Sequence, residues 1–399
     1  MSQMPRESVR LGFLLMSSVL DLALLPLLIL AAVLSRIIRR GSTIGLGPHP
    51  LINNVYHAKA LTLKGFSAET YVTSTYHITS EFDHLLTRRS LYARGIDIVT
   101  KRAYWHVITR YSVLYIYFNG GPLGQTPWLW RLEPFILHLA GIKIVAMPYG
   151  SDVMSLARCP NLNYVNAVAK DYPDMYQRDS RVRRRVQLWQ RGADCVISGC
   201  DWVDYMEFWH VLVPAHFSID IERPVVEREH DFTQLRPLRV LHAPNHRAIK
   251  GTEQVLLAVA DLAAEGIPID LVLVEKKPNA EVREALVECD VVLDQLVIGW
   301  YAMFALEGMA MSKPVICFLR DDLVDLYLSA GAISEPPPLI SATQLTIKDR
   351  LRELALNRGS LRQIGASGHA YALKYHSLEA IGEVFCKVNQ DLGIDPVNK

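Results

Sequence analysis

The feature that most constrains this chain is an alternation that runs through it twice. Short runs rich in Val and Ile alternate with longer amphipathic stretches, first between residues 41 and 222 and again from residue 238 onward. A buried strand reads as a short continuous apolar run, and its crossover helix as a 3.6-residue pattern. The alternation therefore predicts parallel sheets covered by helices. In the first half the expected strands are Ser42–Gly47, Ile96–Val99, Val113–Phe118, Lys143–Pro148 and Asp194–Ser198, with a short extended piece at His210–Ala215. In the second half they are Leu238–Pro244, Ile269–Glu275, Asp290–Gln295 and Lys313–Leu319. Helices are expected in "KGTEQVLLAVADLAAEG", which Gly266 closes, and in "NAEVREALVEC" and "AMFALEGMAM". The tail from Leu361 reads as helical with a break near Gly365–Gly368.

Between the two series lies a polar stretch without periodicity, Asp220–Pro237, which reads as a linker. A chain of 399 residues has room for two cores at ~100–200 residues per domain. The expected fold class is α/β, with two Rossmann-like domains facing across a cleft. The divisions are a first segment 1–40, a domain 41–222, a linker 223–237, a domain 238–370 and a terminal helix 371–399. Open α/β sheets bind ligands beyond the carboxyl ends of their strands, so the crevice between the halves is the expected site.

Bulk charge excludes little. The formal net charge is +1, which gives no whole-chain field for nucleic acid. A local basic run, "RDSRVRRRVQLWQR" from Arg178 to Arg191, reads at helical spacing as a solvated face or a membrane-facing patch. The cysteines at 159, 195, 200, 289, 317 and 386 form no C-x-x-C pair. Buried reduced thiols in a cytosolic body are expected, with neither a disulfide framework nor a zinc site.

The segment Leu11–Leu34 is almost wholly apolar, broken by Asp21 and Pro26. A spanning helix needs ~20 apolar residues. Its fifteen Leu, Ile, Val and Phe, at about −0.3 to −0.6 kcal/mol each, outweigh the ~+2.5 to +3.5 kcal/mol of a central Asp. Membrane association is the expectation. Arg36, Arg39 and Arg40 follow the segment, and this basic excess places the body on the cytoplasmic side of the inner membrane. A cleaved signal peptide, a re-entrant hairpin kinked at Asp21 and Pro26, and a docked helix are the other readings.

Two stretches carry chemistry. In "HAPNHRAIKGTE", His242–Glu253, a strand ends and a helix begins at about Gly251, with Asn245, Arg247 and Lys250 in the turn. Helix starts favour phosphate, and cations are disfavoured there unless an anion lies between them. Arg247 and Lys250 are thus expected to converge on a diphosphate; the alternative is a pair of solvated charges. In "DQLVIGWYAMFALEGMAMSKPVI", Asp294–Ile316, a strand ends at Asp294 and Gln295 and a loop through Gly299 leads to Glu307 on an apolar helix. That carboxylate could accept from a ribose diol or form a buried salt bridge.

"RAIKG" and "LEGMAMSKPVI" resemble motifs of the family-4-like retaining glycosyltransferases of the GT-B fold, a basic pair before a K-G helix and an E-x7-E segment followed by M-A-x-G-K-P-V-I. Weaker likeness covers most of the remaining chain. "GPHPLINNVYHAKAL" resembles the family's first loop and helix, "YGSDV" its H-G-S-D-like segment, and "ADCVISG" and "VPAHFSIDIERP" the end of its first domain. "YALKYHSLEAIGEV" resembles the closing helix that returns to the first domain.

The resemblance implies catalytic roles for Arg247 and Lys250 at the diphosphate and Glu307 at the ribose. Asn245, Gly251, Asp294, Gln295, Gly299, Trp300, Tyr301 and Ala302 would stand around the donor. On the acceptor or cleft side stand Gly47, Pro48, Asn53, Asn119, Gly120, Gly121, Tyr149 and Asp152. The chain departs from the pattern at three places: Gly299 replaces the first glutamate of E-x7-E, Ala302 a loop glycine, and Tyr149 the histidine of H-G-S-D. Asp294, Gln295 and Tyr301 are candidates to replace the missing sugar contact. Locally, "GPHPLINN" also fits an ordinary turn with an Asn cap, and Asp152 a helix cap.

His57, His77, His242 and His246 have no metal-ligand spacing and no D-x-D element is present, so no metal and no cofactor are expected. The implied function is transfer of a sugar from a nucleotide-diphosphate donor to a glycan or lipid-linked acceptor in cell-surface polysaccharide synthesis, with retention. The partners would be the nucleotide-sugar, the acceptor and membrane lipid. A nucleotide-sugar epimerase and a non-catalytic membrane-anchored assembly factor are the alternatives.

Overall fold

Seven parallel strands form the first sheet: β1 (Ile44–Leu46), β2 (Ala68–Val72), β3 (His84–Leu85), β4 (Val113–Tyr117), β5 (Lys143–Met147), β6 (Cys195–Ser198) and β7 (Val211–Leu212), in the order β3-β2-β1-β4-β5-β6-β7. Helices α2 (Ile52–Leu63), α3 (Ile98–Arg110), α4 (Glu133–Leu139), α5 (Leu162–Asp171) and α6 (Met175–Gly192) belong to this half. The computed structural model describes residues 4–38, 41–74, 81–86, 98–221, 236–277 and 279–397. Every residue of β4 is buried, as a strand covered on both faces requires.

The second sheet has four parallel strands, β8 (Leu238–His242), β9 (Ile269–Leu273), β10 (Val291–Leu293) and β11 (Val315–Ile316), in the order β11-β10-β8-β9. Its helices are α7 (Arg247–Lys250), α8 (Thr252–Ala264), α9 (Asn279–Glu288), α10 (Met303–Ala310), α11 (Asp321–Ser329), α12 (Ile347–Leu356), α13 (Leu361–His376) and α14 (Leu378–Asp391). This is the expected α/β class, with two parallel sheets covered by helices.

Four details differ from the sequence reading. Ile98 and Val99 open α3 and form no strand, while Ile96 and Asp97 lie outside the described residues. Strands β2 and β3 carry no apolar run, because polar bonds hold this edge: Thr70 is tied to Asp83 at 2.7 Å and Glu69 to Arg110 at 2.7 Å. The break expected near Gly365–Gly368 is absent. A Cβ at Gly365 would lie 2.0 Å from the Ser312 carbonyl oxygen and one at Gly368 3.2 Å from the Met309 side chain, so these glycines let α13 rest on α10. The chain turns instead at Ser377, whose hydroxyl accepts from the Ala380 amide at 3.1 Å and caps α14. Of the polar linker, residues 223–235 lie outside the described residues.

Helix α14 lies on α2, with Lys64 paired to Glu383. The halves are bonded directly as well. The Trp300 indole donates to the Pro214 carbonyl at 2.8 Å, the Tyr327 hydroxyl to the Cys200 carbonyl at 2.6 Å and the Asn161 amide to the Val297 carbonyl at 2.7 Å. Arg320 pairs with Asp204 across the same boundary.

The N-terminal apolar segment is one helix, α1 (Met4–Ile38), which runs through Pro26 unbroken and so is no hairpin. It lies along α3 and α4. Asp21 is buried and paired with Lys101 at 2.8 Å, and the Tyr104 hydroxyl donates to the Leu28 carbonyl at 2.7 Å. The acid that interrupts the apolar run is thus the staple that fixes the helix to the body. Its other side leaves Val19, Leu22, Leu27, Leu30, Leu34 and Ile37 exposed. Met16–Ile38 is long and apolar enough to cross a membrane.

Candidate active site in the interdomain cleft

The loops that follow β4, β5, β8 and β10 open onto one cavity of about 800 Å³. It lies at the carboxyl ends of strands from both sheets, where open α/β folds place ligands. The first half contributes Asn119, Tyr149 and Ser151 from strand-end loops and Arg178, Arg181 and Arg185 from α6. The second contributes Asn245, His246 and Lys250 around α7, and Ile298 and Ala302 before α10. Its charged lining side chains are Arg178, Arg181, Arg185 and Lys250, and no carboxylate is among the described residues that line it.

Lys250 is held firmly. It is 8% exposed, and its ammonium pairs with Asp294. The other oxygen of Asp294 accepts from the Ala302 amide at 3.3 Å. Asp294 therefore joins Lys250 to the start of α10, an eight-residue helix whose amino end opens on the cavity. A helix start favours anions.

Arg247 does not share this hollow. It lines an adjoining cavity of about 570 Å³, and its guanidinium donates to Glu275 at 2.8 Å and to Glu253 at 2.9 Å. Two glutamates satisfy it, so it does not converge with Lys250, and only Asn245 lines both cavities among these turn residues. Glu307 lines neither. It is mostly buried on α10, and burial raises its pKa while nearby Arg283 lowers it. Of the three residues expected to act together, Lys250 alone faces the large cavity.

Several donor-side expectations are corrected in the same way. Gly299 has φ +102°, and a Cβ there would lie 2.6 Å from the Arg320 side chain. The backbone demands glycine at this position, which explains why no glutamate stands there. Gln295 is fully buried, its amide bonded to the Trp300 carbonyl and its oxygen accepting from the Val297 amide at 3.0 Å, so it shapes the loop. Trp300 and Tyr301 are 1% exposed. Trp300 joins the two halves, and the Tyr301 hydroxyl meets His376 at 2.9 Å. Gly251, at φ +75°, precedes α8 and faces Leu296. Ala302 does line the cavity.

On the other wall, Asn119 and Tyr149 line the cavity and are joined by a 2.6 Å bond from the Asn119 amide to the Tyr149 hydroxyl. Asp152 does not reach it. Its carboxyl is buried, accepts from the amides of Phe118, Tyr149 and Gly150 at 2.9–3.0 Å, and is pushed up to about 7 by that burial. Gly47, Pro48 and Asn53 are buried away from the cavity; a Cβ at Gly47 would lie 2.1 Å from the Tyr71 carbonyl oxygen. Gly120 and Gly121 wrap Glu133, which accepts from the Gly121 and Leu123 amides at 3.2 and 2.6 Å; burial pushes its pKa up to about 8.

The sequence reading missed the arginines of α6. Positions 178, 181 and 185 fall on one helix face with Met175 and Val182, which also line the cavity. The neighbours Arg183 and Arg184 turn elsewhere, to Asp179 at 2.9 Å and the Ser180 carbonyl at 3.1 Å. The available signal was the i, i+3, i+7 spacing alongside apolar residues. His246, bonded to Tyr172 across the domain boundary, was also missed as a lining residue.

Two parallel-sheet domains whose strand ends meet at a shared cleft define the GT-B class of fold. The solved structures similar to this chain agree. Sucrose-phosphate synthase from Thermosynechococcus elongatus is similar at 12% identity and TM-score 0.57, over 88% of this chain and 99% of that one. HepE from Anabaena, in complex with UDP and glucose, is similar at 11% identity and TM-score 0.57, over 88% and 100%. The same protein in complex with UDP-glucose gives 12% identity and TM-score 0.55, over 88% and 99%. No family model matches the sequence, and no curated protein matches it. At such identities the likeness fixes the fold.

Proposed function

We propose that this protein is a glycosyltransferase that takes a sugar from a nucleotide-diphosphate donor and passes it to a glycan or lipid-linked acceptor at the cytoplasmic face of the inner membrane. The observation that carries the reading is the basic cavity at the strand ends of both domains, with Lys250 and the start of α10 on one wall. The UDP and UDP-glucose in the HepE complexes support a donor of this class.

In this reading Lys250 neutralises charge that builds on the departing diphosphate, and the first turn of α10 adds its dipole. Asp294 orients the lysine. Glu307 lines neither cavity, so the ribose contact implied by the resemblance is not part of this reading. Retention, independence from metal and a role in cell-surface polysaccharide synthesis belong to the same proposal. Helix α1 would rest its exposed Leu and Ile side chains in lipid while Asp21 and Tyr104 keep it on the body.

Incubation of membranes carrying the protein with labelled nucleotide-sugars tests the proposal. Transfer of label from one donor into an acceptor is the expected result. Donors that remain intact, or are interconverted without transfer, would contradict it.

A further inference from the structure

We infer that the acceptor carries a phosphate or diphosphate group, and that Arg178, Arg181 and Arg185 on the first-domain wall of the cleft bind it. The inference rests on the glycosyltransferase reading and names the acceptor class it leaves open.

Three observations support it. The three guanidinium groups lie on one face of α6 and line the same cavity as Lys250, but from the opposite domain. Arg178 and Arg181 make no ion pair with any described residue, whereas Arg183 on another face does. Arg185 is 5% exposed, and its Nε is buried without a hydrogen-bond partner. Its remaining bonds run to neutral carbonyls, Asn119 at 2.7 Å and Gly124.

A buried guanidinium bonded to no carboxylate is costly; nearby Glu133 attracts it without a bond, and Arg181 beside it adds repulsion. Burial and neighbouring Arg181 together hold Arg185 down at about 10. Such a cluster is stable once an anion fills it. Arg recognises phosphate with a planar fork of donors, and a group of two or more charges matches three cations better than a single carboxylate does. The donor diphosphate already has Lys250 and the α10 start on the second-domain wall, so the α6 arginines are left for the other substrate.

The anion could come from a lipid-linked diphosphate or a soluble sugar phosphate. Farnesyl diphosphate and glucose 1-phosphate serve as the two probes, titrated by calorimetry into full-length protein saturated with the nucleoside diphosphate it binds, from UDP, GDP and ADP. The variant is Arg178→Gln with Arg181→Gln, both exposed and unpaired. Arg183→Gln with Arg184→Gln removes the same charge from elsewhere on the helix.

At least a tenfold loss of affinity for one probe in the first variant, with nucleotide affinity within twofold and the control near wild type, is the result expected; the probe that binds identifies the source. The inference is overturned if nucleotide affinity falls in parallel, which would give the arginines to the donor. Equal losses in the two variants, or no binding of either probe to the wild type, also overturn it. Failure of wild type to bind any of the three nucleotides sinks the transferase reading itself and the acceptor assignment with it, which separates the two failures.

Discussion

Lys250→Ala should injure the protein twice, and the two injuries can be separated. The lysine ammonium and the Asp294 carboxylate are paired with side-chain exposures of 11% and 0%. Removing one partner of a buried pair leaves the other charge uncompensated, at a cost of about 3–5 kcal/mol. Here the Ala302 amide still reaches Asp294, so about 3 kcal/mol is the expected loss, against a typical stability of about 5–15 kcal/mol. Turnover should also fall, by about 10²–10³-fold, the effect of deleting one group that stabilises developing charge. Adding Asp294→Asn removes the orphaned charge, so the double variant should recover most of the lost stability and none of the turnover. Urea midpoints and transfer of labelled sugar, measured on all three proteins, give both quantities. A single variant as stable as wild type would refute the buried pair. A double variant that regained turnover would show that Lys250 acts through stability alone.

Three further expectations follow from the geometry. Gly299→Glu restores the first glutamate of the resembled motif, yet it should destabilise by about 1–3 kcal/mol because φ there is +102° and Arg320 fills the space; an unchanged melting temperature would contradict this. His57, His216 and His376 are buried with pKa values lowered by that burial to about 3, 4 and 4. Below the unfolded value of about 6.5 the unfolded chain takes up protons that the native rings refuse, so each ring subtracts about 1 kcal/mol of stability at about pH 5.5, while the buried carboxyls of Glu133 and Asp152, raised to about 8 and 7, take up protons in the native state over the same range and act in the opposite direction. Histidine ring NMR shifts of the folded protein between about pH 7.5 and 5.5 check it, and rings of these three histidines that protonate over that range would count against buried neutral rings. Leu27→Asp with Leu30→Asp on the exposed side of α1 should shift the protein from the membrane to the soluble fraction with its melting temperature nearly unchanged; retention on the membrane would remove α1 as the anchor.

The alternation of apolar runs and amphipathic stretches made the sheets legible, because parallel strands buried on both faces must be apolar throughout. Strand β2 was hidden because its edge is held by Glu69 and Thr70 bonds that leave no apolar signature. The site was legible only in part. Lys250 could be found from its place before the K-G helix, and Ala302 from its place at the start of α10. Arg247 could not be excluded in advance, since Glu275 lies on a different element and reaches it only once the sheet has formed. Trp300, Tyr301 and Gln295 looked like donor contacts by their position beside the cleft, but each is consumed in holding the loop or the two domains together. The α6 arginines read as a solvated face or a membrane-facing patch; their i, i+3, i+7 spacing beside Met175 and Val182 marks one face, and only the fold shows that this face turns toward the second domain. Asp21 was read against a membrane, where it is a penalty; against Lys101 it is a fastening.

The most direct measurement is calorimetric titration of the full-length protein with UDP, GDP and ADP, repeated on the Lys250→Ala, Asp294→Asn double variant. One of the three nucleotides should bind the wild type and raise its melting temperature, as a ligand specific to the native state must, and the double variant should lose that binding while remaining folded. If none of them binds, or if the variant binds as tightly as the wild type, the interdomain cavity does not hold a nucleoside diphosphate against Lys250.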